Sequence, residues 1–135
     1  MKKYSPPLIL QRADPCILLG EDGFYYFTAS VPEFDRIELR RAETVEGLAH
    51  AQPAVIWRKH ESGPMSRYIW APEIHRIGGE WVVYFAATRH EPDGNGVFDH
   101  RIFALSNSSE NPMEGSFMER GQIDTGMESL CLEAS

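Results

Sequence analysis

Apolar and aromatic residues fall in short runs separated by Gly, Pro, Asn and Asp, with little sign of helical periodicity. Residues 16–19, 24–30, 36–41, 54–57, 73–77, 81–87 and 100–106 are short runs that include aromatic or β-branched residues, bounded by turn formers, and the pattern predicts a strand in each, with a further outer strand at 118–123. The nearest helical candidate, 37–49, contains three β-branched residues and Gly47, and its Arg40-Arg41-Ala42 centre reads equally well as the end of a strand. The chain is therefore expected to be all-β.

An internal repeat organises these strands. Pro15-Cys16-Ile17 and Pro72-Glu73-Ile74 each open a copy, a glycine-bearing turn follows, and Phe24 to Ser30 aligns with Trp81 to Ala87. Each copy continues into another strand, a polar segment with a small-residue turn (Glu46-Gly47-Leu48; Glu114-Gly115-Ser116) and an outer strand. Pro15 and Pro72 lie 57 residues apart, and a four-stranded unit of about 40 to 60 residues is the signature of a β-propeller blade. The expected bounds are about 8–60 for the first blade and about 66–125 for the second. The first strand of a third is expected at 128–135, where Leu132-Glu133-Ala134 takes the register of Ala13-Asp14-Pro15. Two blades and one opening strand would leave a sheet edge unpaired and the core half open, so either a fragment or an association through the open blade edges, with itself or another chain, is expected.

Composition alone would suggest one soluble globular domain: 135 residues, 42% hydrophobic and 24% charged. The repeat changes that picture, because the chain then makes up about two-fifths of a propeller. A formal charge of -7 repels phosphate, so neither a nucleic acid nor an anionic membrane is an expected partner. The N-terminal apolar run, Leu8-Ile9-Leu10, is shorter than the roughly seven residues a secretory leader needs, which favours a cytoplasmic location. Cys16 and Cys131 lack CxxC spacing and lie in apolar surroundings, as reduced buried thiols do.

The innermost strand of each blade lines the central channel, so equal registers in successive blades face one another. Asp14 and Glu133 share one such register and Ala71 occupies it in the second copy. Asp before Pro is also ordinary turn chemistry, but two acids at matching repeat positions suit glycosidic hydrolysis. Trp70 offers either core packing or an aromatic face for a sugar. Phe34 and Asp35 belong either to the channel rim or to a solvated loop. Strand alternation turns Glu73 toward a neighbouring blade, as a structural acid. The five histidines show no metal-binding spacing, and Asp93-Gly94-Asn95-Gly96 lacks the twelfth-position Glu of a calcium loop and reads as a hairpin. No nucleotide-binding or serine-hydrolase motif occurs, so neither a metal nor a cofactor is expected.

Arg12-Ala13-Asp14-Pro15, residues 30–41 and above all Tyr68-Ile69-Trp70-Ala71-Pro72-Glu73-Ile74-His75 resemble glycoside hydrolase family 43, most closely its α-L-arabinofuranosidase branch. The resemblance implies a five-bladed β-propeller of roughly 285 residues and inverting hydrolysis of terminal arabinofuranosyl or xylosyl linkages. It makes Asp14 the general base. Glu133 takes the place of an acid, usually Asp, that orients the general acid and tunes its pKa; the extra methylene could shift the carboxylate by about an ångström. Trp70, Phe34 and Asp35 become candidate contacts for arabinose- or xylose-containing oligosaccharides. The general acid belongs to a fourth blade, so the 135-residue chain is expected to be inactive alone. The alternative is a noncatalytic carbohydrate-binding or assembly piece in which Trp70 and Phe34 contact sugar.

Overall fold

The computed structural model describes residues 13–88 and 101–123, with the backbone alone for Ala13 and Asp14. Strands β1 (Ala13–Leu19), β2 (Tyr25–Ser30), β3 (Arg36–Ala42) and β4 (Ala54–Arg58) form one antiparallel sheet in chain order. Strands β5 (Arg67–Ile77), β6 (Glu80–Thr88), β7 (Arg101–Asn107) and β8 (Met118–Ile123) form a second sheet of the same topology. The all-β expectation is borne out, and each sheet is a four-stranded propeller blade. Glu133, the opening of a third unit and the 93–96 loop lie outside the described residues.

A single helical turn, α1 (Val45–Leu48), joins β3 to β4 where the pattern predicts a turn. The Thr44 hydroxyl accepts from the Gly47 amide at 2.9 Å and caps its start. The Arg40 guanidinium donates to the Leu48 carbonyl at 3.1 Å at its end. Val45 and Leu48, one turn apart, are both buried. At four residues the turn is too short for apolar periodicity to reveal it.

The main core lies between the sheets. Cys16, Tyr26, Ile37, Leu39 and Trp57 from the first meet Ile74, Trp81, Val83, Phe85 and Leu105 from the second. The Tyr26 and Trp81 rings are 4.6 Å apart, and those of Trp57 and Phe85 4.8 Å. Alternation then sends Phe27 and Ala29 to the other face of the first sheet, where Leu48 packs on them. The 59–66 connection is tied down by the Lys59 amide donating to the Asp35 carbonyl at 3.0 Å and the His60 amide to the Met65 carbonyl at 2.9 Å.

Strand pairing corrects the repeat alignment by one residue. Cys16 pairs with Thr28, whereas Glu73, which likewise follows the repeat proline, pairs with Tyr84. Thr28 is thus the counterpart of Tyr84, and Phe24–Ser30 does not superpose on Trp81–Ala87 as aligned. The cause is turn length: residues 20–24 separate the first strand pair, but only Gly78 and Gly79 separate the second. A one-residue slip moves every side chain to the opposite face. With it corrected, the face Tyr26 presents to the second sheet corresponds to the face on which Tyr84 points away from the first. Gly20 is required in the longer turn, since a Cβ there would sit 2.9 Å from the Tyr26 ring and 2.8 Å from the Asp22 carboxylate.

Candidate functional site

Backbone irregularity gathers at one end of the two innermost strands. The β1 ladder shifts register between Ala13 and Cys16, around Asp14-Pro15, and the β5 ladder between Trp70 and Glu73, around Ala71-Pro72. A second shift in β5 lies between Arg67 and Trp70. Bulges of this kind re-aim side chains next to functional sites. Phe34, Tyr68 and Ala71 have φ of 54, 51 and 50°, the positive-φ residues other than glycine among those described. Each left-handed residue costs about 1 kcal/mol or more and persists when its surroundings impose it. Here the Phe34 carbonyl accepts from the Ile69 amide at 3.0 Å, and the Ser30 hydroxyl accepts from the Ala71 amide at 2.7 Å. Ser30 also pairs with Ala13, the neighbour of Asp14, so one buried serine joins the start of β1 to the bulge of β5.

These hydrogen bonds bring three half-buried rings together. Phe34 lies 6.1 Å from Trp70 and 6.5 Å from Tyr68, and Tyr68 lies 6.0 Å from Trp70. Of the residues singled out from sequence, Phe34 and Trp70 therefore meet. Asp35, next to Phe34, accepts from the Arg36 guanidinium at 2.8 Å, and Arg36 also holds Glu33 and Glu38. Asp14 lies on β1 next to Ala13, whose strand partner Ser30 holds the Ala71 amide, and its backbone alone is described. Glu73 lies on the face of β5 opposite the buried Ile74, 3.6 Å from His75. Tyr68 was missed by sequence reasoning, because a tyrosine two residues before a tryptophan in a strand carries no mark of a left-handed backbone.

The best-connected charges lie elsewhere. At the far end of β1, the Tyr26 hydroxyl donates to Asp22 and accepts from Arg41 at 3.0 Å, while Arg41 covers the Phe24 ring. Burial and the Asp22 carboxylate push the Tyr26 phenol up to about 12. Burial opposes the charge of Asp22, but the Tyr26 hydroxyl, the Phe24 amide and Arg41 outweigh it and hold the carboxyl below its usual value. At the outer edge, Glu119 of β8 accepts from the Trp57 indole at 2.7 Å and meets His60 at 2.6 Å, bridging the two sheets. The Trp57 hydrogen bond, against burial and with help from His60, lowers its pKa. Both clusters are internally satisfied and read as structural. A groove at the β4 edge, lined by Val55, Met113 and Phe117 among others, has no titratable lining residue. Among the described residues, no three His, Cys, Asp or Glu side chains converge as a metal site would need.

Comparison with known proteins gives this geometry a family. Residues 4–135 match the family model described as Glycosyl hydrolases family 43. The chain belongs to that family. A relative from Streptomyces chartreusis, named an extracellular exo-alpha-(1->5)-L-arabinofuranosidase, is 51% identical over 132 residues. One of the same name from Streptomyces avermitilis is 50% identical over 132 residues. The crystal structure of an alpha-L-arabinofuranosidase from Lactobacillus brevis matches with a TM-score of 0.85 at 51% identity, over 94% of this chain and 41% of that one. The matches cover 98% of this chain but 39% and 27% of the two Streptomyces proteins. Membership of family 43 carries the five-bladed propeller with it, of which two blades are described.

Two expectations are corrected. The cytoplasmic location is overturned, because both Streptomyces relatives are named extracellular. The short apolar run Leu8-Ile9-Leu10 does not decide the location of a chain that spans 39% and 27% of those relatives' lengths. The reduced-thiol expectation fails as well, since Cys16 is disulfide-bonded. Its apolar surroundings misled, because a buried disulfide sits in the same setting as a buried thiol.

Proposed function

We propose that this chain supplies the first two blades, and the general base, of a secreted family 43 arabinofuranosidase. The carrying observation is 51% identity over 132 residues to an exo-acting arabinofuranosidase. In this reading Asp14 takes a proton from water as that water attacks the anomeric carbon of a terminal α-L-arabinofuranosyl unit. The leaving oxygen takes a proton from a carboxylic acid on a later blade, and the anomeric configuration inverts. Glu133 orients that acid and tunes its pKa. Asp14 and Pro15 span the register shift of β1, and the Ser30 tether to Ala71 is suited to fixing that shift against the second blade. An extracellular location agrees with the disulfide at Cys16, since disulfides persist in oxidising compartments.

The 135 residues alone are expected not to hydrolyse an aryl α-L-arabinofuranoside, because a general acid contributes about 100- to 10,000-fold. Turnover by the purified chain would overturn that expectation. In a full-length enzyme carrying these residues, Asp14→Asn is expected to lower kcat by at least about a thousandfold, near the upper part of the general-base range. Unchanged turnover in that variant would remove Asp14 from the reaction. Parallel assays with an aryl β-xyloside separate the two pentose readings.

A further inference from the structure

The same irregularity recurs in both blades. In β1 the ladder passes from Ala13, paired with Ser30, to Cys16, paired with Thr28, and leaves Asp14-Pro15 outside it. In β5 it passes from Trp70, paired with Ala86, to Glu73, paired with Tyr84, and leaves Ala71-Pro72 outside it. Asp14 and Ala71 are thus equivalent residues, and so are Ser30 and Ala86. Proline has no amide, so of the two residues outside the β5 ladder only Ala71 has one to donate. The Ser30 hydroxyl accepts it at 2.7 Å, in a residue 2% exposed. Thr28, two residues earlier on the same face of β2, uses its hydroxyl within the first sheet, donating to the Glu38 carbonyl at 2.9 Å. Ser30 reaches to the second blade instead. At the corresponding place the second blade carries Ala86, without a hydroxyl, so the blade fold itself does not demand this bond.

We propose that Ser30 is a positioning residue for the general base, whose hydroxyl fixes the shifted part of β5 against the backbone that carries Asp14. This rests on the arabinofuranosidase reading, in which Asp14 is that base. The mechanical path is short. Ser30 pairs through its backbone with Ala13, the residue before Asp14, and holds through its side chain Ala71, the equivalent of Asp14 in the next blade. It therefore sets the separation of equivalent points on two neighbouring innermost strands. Ala71 takes a φ of 50° at this bond, a left-handed backbone that persists only where its surroundings impose it. Asp14 lies within the register shift, so its place is set by the flanking pairs, Ala13 with Ser30 and Cys16 with Thr28. A reacting group displaced by about 1 Å can lose about a hundredfold in rate, so loosening these strands reads out in turnover before it reads out in binding.

The test uses a full-length enzyme carrying these residues and an aryl α-L-arabinofuranoside, with thermal melts to check that each variant is folded. Ser30→Ala is expected to lower kcat about ten- to hundredfold and to leave KM within about twofold. Thr28→Val, which removes the neighbouring buried hydroxyl, is expected to lower the thermal midpoint and to leave kcat unchanged. Ser30→Cys keeps the shape with a weaker acceptor; it is expected to lose less kcat than Ser30→Ala, and it carries the comparison if the alanine variant does not fold. In an Asp14→Asn background, Ser30→Ala is expected to slow the enzyme no further, because no base is left to misplace. Equal kcat losses in the Ser30 and Thr28 variants, a loss confined to KM, or full additivity with Asp14→Asn would assign Ser30 to stability and overturn the inference. Native turnover in Ser30→Ala beside a slow Asp14→Asn overturns the inference alone, whereas native turnover in Asp14→Asn overturns the reading beneath it.

Discussion

The two blades present the same face in different circumstances. On the first, Leu18 pairs with Tyr26 and Cys16 with Thr28; at the corresponding places on the second, His75 pairs with Val82 and Glu73 with Tyr84. The first blade's face is covered by its neighbour, so Cys16 is 2% and Tyr26 0% exposed. On the second, Val82 and Tyr84 remain half-buried, and Glu73 and His75 take the places of Cys16 and Leu18. Equivalent strands and pairing thus yield a sealed aromatic contact in one blade and a mixed polar face in the other. What differs is the surface each meets, not the local fold.

The largest expected effect tests this contrast directly. Tyr26→Ala should cost about 3–5 kcal/mol in urea unfolding, since it leaves a cavity against Trp81 and strips partners from Asp22 and Arg41. Tyr84→Ala should cost about 1 kcal/mol. Equal losses would mean that the second face is as well covered as the first. Next in size is the bond that sets Cys16 apart from its counterpart Glu73. Reduction should lower stability by about 2–4 kcal/mol, read as a fall in the thermal midpoint with dithiothreitol. An unchanged midpoint would leave packing alone as the explanation of the sealed face.

The smallest effect concerns the outer edge, where Glu119 joins the sheets. Its carboxyl is held below the ordinary value of 4.5, so the stability it contributes is complete above that pH and lost as pH falls through the lowered folded value. Because Glu119 and His60 are both 39% exposed, Glu119→Gln should cost less than about 1 kcal/mol at neutral pH, and the variant's loss should vanish in acid. A loss that persists at pH 2 would assign the effect to packing of the side chain on Trp57.

Strand positions were legible because turn formers bracket each apolar run, and the blade assignment followed from Pro15 and Pro72. The hairpin register was not, because nothing in Gly20-Glu21-Asp22-Gly23-Phe24 declares that the first turn is longer than Gly78-Gly79 in its effect on pairing. Phe34 and Trp70 were recognisable as aromatic residues near an expected channel end. Their conjunction with Tyr68 was hidden, since it depends on left-handed backbone imposed by contacts between blades. Alanine at φ of 50° in Ala71 has no sequence signature at all, because its preference is overridden by a serine 41 residues away.

The short helix α1 bears on the order in which the molecule can be made. As the chain leaves the ribosome, the strands of the first sheet emerge before those of the second. Leu48 packs with Phe27 and Ala29 on one side of that first sheet, and the opposite side, with Tyr26, is the one the second sheet covers. Synthesis and packing thus share a direction: the face with Tyr26 is the one offered to the blade that follows in the chain.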